Sequence, residues 1–170
     1  VATCAEALEG DLARGVSAGA EYVKVLGAPA ESPDAAAEVE AVTAVLADQL
    51  VDPLVSRLAH VIDNTEDTSP DGSELVGRIR AVHREWRGER LTEVADDLAH
   101  FAFNRGVLAA TPPDASLSWV VDFGGLPCPD AEDNNLAGGV RAGDEYPTGH
   151  VCPPAHPGCR CVLVPQPSDS

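Results

Sequence analysis

Four of the five cysteines, Cys128, Cys152, Cys159 and Cys161, fall within 34 residues. The same stretch holds His150 and His156 and is crowded with Gly, Pro and Asp. A segment of that composition buries little apolar surface, so some local tie has to order it. An odd cysteine count with tight clustering fits a disulfide framework poorly. It fits a metal site or a set of structural thiols better. The fifth cysteine, Cys4, stands alone and reads as a small buried hydrophobe.

The rest of the chain has a different texture. Residues 1–27 keep helical spacing through Leu8, Leu12, Val16, Val23 and Leu26, although Gly10, Gly15 and Gly19 weaken the helix. Gly27 and Pro29 stop it. Ser32-Pro33-Asp34 reads as the next helix start. Its buried stripe is Val39, Val42, Leu46 and Leu50. Pro53 is expected to kink or break that helix before Leu54, Leu58, Val61 and Ile62 resume the stripe. Residues 64–72 read as a loop. Ser73 is placed to cap a further helix, marked by Leu75, Ile79, Val82 and Trp86. Beyond Gly88 the stripe continues through Leu91, Val94, Leu98 and Ala102, and Thr111-Pro112-Pro113 ends it. The fold class that follows is mainly α. Three or more long helices occupy residues 1–113, and a small loop-rich Cys/His module with short β-strands occupies 114–165. Strands are expected at 117–123 and 162–164, residues 124–161 show no helical period, and 166–170 read as a mobile tail.

Size and charge narrow the function. A chain of 170 residues makes one domain, or a helical domain with a small appendage. Aromatic residues are only 4 %, so the core rests on Val, Leu and Ala. The chain begins at Val1 and contains no Met, as expected of a segment of a longer or processed polypeptide. The formal net charge is −17, and residues 1–70 hold thirteen carboxylates against three cations. Such a surface repels phosphate backbones, so direct nucleic-acid binding is not expected. The one basic cluster, Arg78, Arg80, Arg84, Arg87 and Arg90, is interleaved with Glu74, Glu85 and Glu89. It reads as a salt-bridged helix face. No apolar run approaches the ~20 residues of a membrane span.

The chemistry lies in Cys128, His150, Cys152, His156, Cys159 and Cys161. Thiolates and imidazoles are the preferred zinc donors, and a structural site needs four around one ion. The His156-Pro157-Gly158-Cys159 turn can bring two donors to one point, with Cys128 as a distant ligand that closes the loop. The spacing lacks a C-x2-C knuckle, and Cys-x-Cys points its side chains apart when extended. A disulfide from Cys128 to Cys159 or Cys161, or plain buried thiols, would serve as well. A Cys/His pair at His150, His156 and Cys159 is also the raw material of a nucleophilic or metal-dependent enzyme. The stiff prolines and the unmarked substrate pocket point away from catalysis. His60, His83 and His100 read as surface or boundary residues of the helices.

Together these residues form a pattern. Trp119-Val120-Val121-Asp122 is followed by Cys128-Pro129-Asp130-Ala131-Glu132-Asp133-Asn134 and then by Leu136-Ala137-Gly138. Gly143-Asp144-Glu145-Tyr146-Pro147-Thr148-Gly149 comes next, and the pattern closes in Pro153-Pro154-Ala155-His156-Pro157-Gly158-Cys159-Arg160-Cys161. This resembles the signature region of phage head-morphogenesis proteins, the minor head proteins of the Mu F type. The likeness runs from Ala99 to Pro165 and includes Ala102, Arg105 and Gly106 of the preceding helix. Members often carry a second cysteine three positions after the first. Ala131 stands there in this chain, and Cys152 is expected to substitute. The resemblance implies a structural role in a viral head, in contact with portal or capsid proteins. The setting would be a virion or a bacterial cytoplasm. A metal-dependent enzyme or toxin domain, or a host interaction module of phage origin, are the alternatives. Self-association is left open. Arg160 is expected to order the loop by pairing with Asp130 or Asp133.

Overall fold

The computed structural model describes residues 2–66, 69, 71–122, 124 and 128–167. The chain is mainly helical and ends in a small antiparallel sheet, as the sequence predicts. In order come α1 (Ala2–Val25), α2 (Ala35–Leu46), α3 (Asp52–Asp63), α4 (Ser73–Glu85) and α5 (Leu91–Ala110). Strand β1 (Ser116–Val120), α6 (Pro129–Leu136), β2 (Gly139–Arg141) and β3 (Val162–Pro165) follow. The expectations for Phe123 and for residues 168–170 lie outside the described residues, as does the Cys4 side chain.

The helices join into two long rods. Asp34 caps α2, its Oδ1 accepting from the amides of Ala36 and Ala37. Pro53 does not break the second rod. A π-helical turn, Ala47–Val51, carries α2 into α3, with Pro53 in the first turn of α3. Proline has no N–H to give the carbonyl four residues back, which is that of Gln49. Arg90 Nη2 takes that carbonyl instead, at 3.2 Å. Arg90 itself ends a second π-helical turn, Trp86–Arg90, between α4 and α5. An Arg90→Ala variant should lose about 1 kcal/mol in chemical denaturation, since only water then reaches the Gln49 carbonyl.

Ser73 is not the cap of α4. The helix starts at Ser73 itself, the N-cap is Gly72 at φ 67°, and no side-chain cap bond forms. The Asp71 carboxylate accepts the Ser73 amide at 3.1 Å, and the Ser73 side chain first, with that amide second, holds its pKa below the ordinary value. The α3–α4 hairpin is thinly packed. None of the α3 residues is buried, and Val82 is the only buried residue of α4. The basic cluster is only partly paired: Arg78 meets Glu74 at 3.0 Å and Arg90 meets Glu93 at 3.4 Å. Arg80, Arg84 and Arg87 have no ion-pair partner among the described residues.

The core sits where α1 crosses α5. Leu12, Val16, Val39, Val42, Val94, Leu98 and Ala102 form its helical half. The other half joins Ala20, Val23, Val107 and Ala110 to Leu117, Trp119, Tyr146, Cys152, Cys159, Cys161 and Leu163. The helices and the C-terminal module thus share one apolar cluster. The glycines of α1 have a purpose that helix propensity conceals. A Cβ added to Gly19 would overlap the Phe103 carbonyl oxygen, and one added to Gly106 would overlap that of Val16. The two backbones approach too closely for any side chain.

In the sheet, β1 is central and the order is β2-β1-β3. Trp119 faces Leu163 across β1 and β3, and both are fully buried. Burial alternates along β1, so Leu117 and Trp119 face the core. Helix α6 and strand β2 lie in the stretch that shows no helical period in the sequence. Gln166, expected in the tail, is tied to β1: its amide donates to the Ser116 carbonyl at 2.9 Å and its side-chain Nε2 to Ser118 Oγ at 2.5 Å. No helix among the described residues is long and apolar enough to cross a membrane.

Candidate functional site

Helix α5 presents a polar line to the Cys/His segment. Asp97, His100 and Asn104 follow at steps of three and four, so they share one face. Both Asp97 carboxylate oxygens accept the Gly158 amide, at 3.1 and 3.0 Å, and Oδ1 also accepts Arg160 Nη1 at 3.0 Å. His100 Nε2 lies 2.6 Å from the Cys161 carbonyl, which can only accept, so Nε2 carries the proton. Asn104 Nδ2 donates to the same carbonyl at 3.3 Å, while its Oδ1 accepts the Leu163 amide at 2.9 Å. Three side chains therefore take up the Gly158 and Leu163 amides and the Cys161 carbonyl. Sequence reading missed this function of the helix. The signal was there as polar residues at helical spacing on an otherwise apolar helix. Arg160 pairs with Asp97 and, at 3.9 Å, with Asp96. It does not pair with Asp130 or Asp133, because the grip of α5 on Gly158 fixes the guanidinium on the helix side.

Four of the six candidate donors line one cleft of about 470 Å³: Cys128, His156, Cys159 and Cys161. Cys128 stands at the N-cap of α6, where Pro129 begins the helix. His156 Nδ1 lies 2.9 Å from the Pro157 carbonyl. That oxygen can only accept, so Nδ1 carries the proton and a neutral ring keeps its lone pair on Nε2. The Cys159 and Cys161 sulfurs influence each other, and the Cys161 thiol and the backbone around Ala155 and Cys161 favour the anionic form of Cys159. The Cys161 thiol first, then the nearby backbone, lower the Cys159 pKa from the ordinary 9.0 to about 5. Cys161 is pushed up by the Cys159 sulfur and by burial. The Trp119 indole N–H is buried and lacks a formed hydrogen bond. It lies against the Cys161 sulfur, which it draws toward the anionic form.

The other two donors are elsewhere. Cys152 is buried beside the Arg105–Glu38 ion pair, whose atoms are 2.5 Å apart. Burial pushes its thiol up to about 12. His150 belongs to a network around buried Asn134: Asn134 Nδ2 donates to Thr148 Oγ1 at 2.8 Å, and Thr148 Oγ1 meets His150 Nδ1 at 2.8 Å. Cys128, Cys152, Cys159 and Cys161 are free thiols, with none of the disulfides open to them formed. Among the described residues no group of three or more His, Cys, Asp or Glu side chains is drawn together as a ligand set.

Comparison with known proteins finds no matching family model, no similar curated protein and no similar solved structure. The geometry therefore stands by itself. It offers three cysteine sulfurs and one imidazole around a cleft, on a backbone pinned by α5.

The thiolate gives a pH signature. A thiol whose folded pKa is lowered adds stability that is complete above pH 9 and is lost as pH falls through about 5. In metal-free protein the thiolate absorbance near 240 nm should rise with a midpoint at about pH 5. It should vanish from that range in Cys159→Ser. A first midpoint near pH 9 would overturn this assignment.

Proposed function

We propose that the chain is a structural protein of a phage or prophage-derived particle, a minor head protein whose C-terminal module is a rigid docking element for portal or capsid proteins. The observation that carries this reading is the form taken by Pro153–Cys161. The motif that resembles the head-morphogenesis signature folds as a strap held to α5 by Asp97, His100 and Asn104. A strap of this kind fixes a surface.

The donor chemistry of the cleft suits zinc. Three thiols and an imidazole with a free Nε2 are what a structural zinc site takes. The residues that would hold it are Cys128, His156, Cys159 and Cys161, and the ion would tie α6 to the strap. Binding would draw these side chains closer than they stand.

Two measurements test the reading. Native mass spectrometry of purified protein should find equimolar zinc. It should be lost in Cys128→Ser, His156→Ala, Cys159→Ser and Cys161→Ser and kept in Cys152→Ala. Coexpression with phage portal and capsid proteins should then place the chain in assembled particles, and variants at the four donors should lower that incorporation. The lowered Cys159 pKa favours a second reading, an enzyme or toxin that uses the thiolate as nucleophile or ligand. A folded, metal-bound variant that assembles normally but loses turnover would decide for that alternative.

A further inference from the structure

The chain carries eleven Lys and Arg residues. Arg14, Lys24, Arg78, Arg90, Arg105, Arg141 and Arg160 each pair with a carboxylate. The remaining four, Arg57, Arg80, Arg84 and Arg87, have no ion-pair partner among the described residues. All four lie on the hairpin of α3 and α4 or on the π-helical turn that follows it. Arg80, Arg84 and Arg87 step by four and three residues, so they form one exposed ridge. Like charges at that spacing repel, and no ion pair among the described residues offsets the repulsion at these three arginines. Exposed apolar side chains flank the ridge: Val76 four residues before it and Leu91 four residues after it.

The complement is present on the same molecule, out of the ridge's own reach. Residues 1–51 hold nine carboxylates and two cations, and both cations are already paired. Glu6, Glu9, Glu31 and Glu40 are exposed there without an ion-pair partner among the described residues. Val25 and Leu26, where α1 ends, are exposed as well.

We propose that the Arg80–Arg84–Arg87 ridge of one copy docks on the acidic α1–α2 surface of a second copy. A net charge of −17 repels a nucleic acid from the ridge. Two copies repel through that net charge, so contact between them is favoured only where the ridge of one meets the exposed carboxylates of the other. The two patches are different, so the contact is heterologous. Each docked copy keeps one free ridge and one free acidic face, and the product is a head-to-tail chain or a closed ring. This inference stands apart from the reading of the Cys/His module.

Sedimentation velocity on the full chain tests it, in about 50 mM and about 500 mM salt. In low salt, species larger than the monomer should grow with concentration, and they should disperse in high salt. Arg80→Glu with Arg84→Glu and Arg87→Glu should weaken association at least tenfold, about the loss expected when complementary charges become like charges. The corresponding Lys variants should keep it. Added to wild type, the Glu variant should shorten the assemblies, because it retains an acidic face but no ridge. If the Glu variant misfolds by circular dichroism, Glu6→Lys with Glu9→Lys and Glu40→Lys should weaken association from the other side. Three results overturn the proposal: wild type that stays monomeric in low salt, a folded Glu variant that associates like wild type, and a monomeric wild type whose ridge instead holds a short DNA duplex.

Discussion

Gly106→Ala is expected to cost about 3 kcal/mol, and Gly19→Ala a similar amount, because each methyl must push apart a pair of packed backbones. Ordinarily the change from Gly to Ala inside a helix stabilises, by reducing the freedom of the unfolded chain. The sign is therefore set by what the new Cβ meets. At Gly106 it meets the Val16 carbonyl and at Gly19 the Phe103 carbonyl, and neither can retreat without moving α1 off α5. At Gly10 the nearest atom is Arg14 Nη1 at 3.8 Å, and at Gly77 nothing lies within 4 Å. Gly10→Ala and Gly77→Ala should each gain about 0.5 kcal/mol. Urea denaturation of the four variants reads the pattern. Uniform stabilisation would show that α1 and α5 do not cross at these glycines.

Asn104→Leu is the second large effect, at about 3 kcal/mol. The replacement is close in volume, so no cavity explains the loss. It removes the acceptor of the Leu163 amide and one of the two donors to the Cys161 carbonyl, in a site where Asn104 is fully buried. A buried N–H left without a partner costs about 1–3 kcal/mol, and the weakened carbonyl adds to it. Hydrogen exchange gives a local reading. The Leu163 amide should exchange much faster in the variant, while amides of α1 should slow or quicken only with global stability. Unchanged protection at Leu163 would remove Asn104 from the strap.

These two variants show where the sequence was legible. The helical rods followed from apolar spacing, and Asp34 announced its helix through cap chemistry that needs no tertiary context. Central β1 and final β3 followed from Trp119-Val120-Val121 and Val162-Leu163-Val164. Helix α6 was hidden because its buried face is one alanine and one asparagine, Ala131 and Asn134, while Leu136 points into solvent. No apolar stripe exists to read. The glycines of α1 were legible only as weakness, since a close crossing is a property of two helices together. The Cys/His cluster was visible as composition, but its division was not. Cys128, His156, Cys159 and Cys161 share a cleft, while Cys152 and His150 turn toward Arg105 and Asn134. That split depends on how the loop folds back over α5, which no spacing rule encodes.

The two π-helical turns at the root of the hairpin set the direction in which its surfaces face. Each amounts to one residue more than an α-helix needs, and one residue rotates everything beyond it by about 100°. The turns occur once in each rod, so the inward faces of α3 and α4 stay matched. Deleting one residue from a single turn would set the two helices out of phase and split the hairpin. Deleting one from both would leave the hairpin intact and swing its arginine ridge to a new compass bearing on an unchanged body.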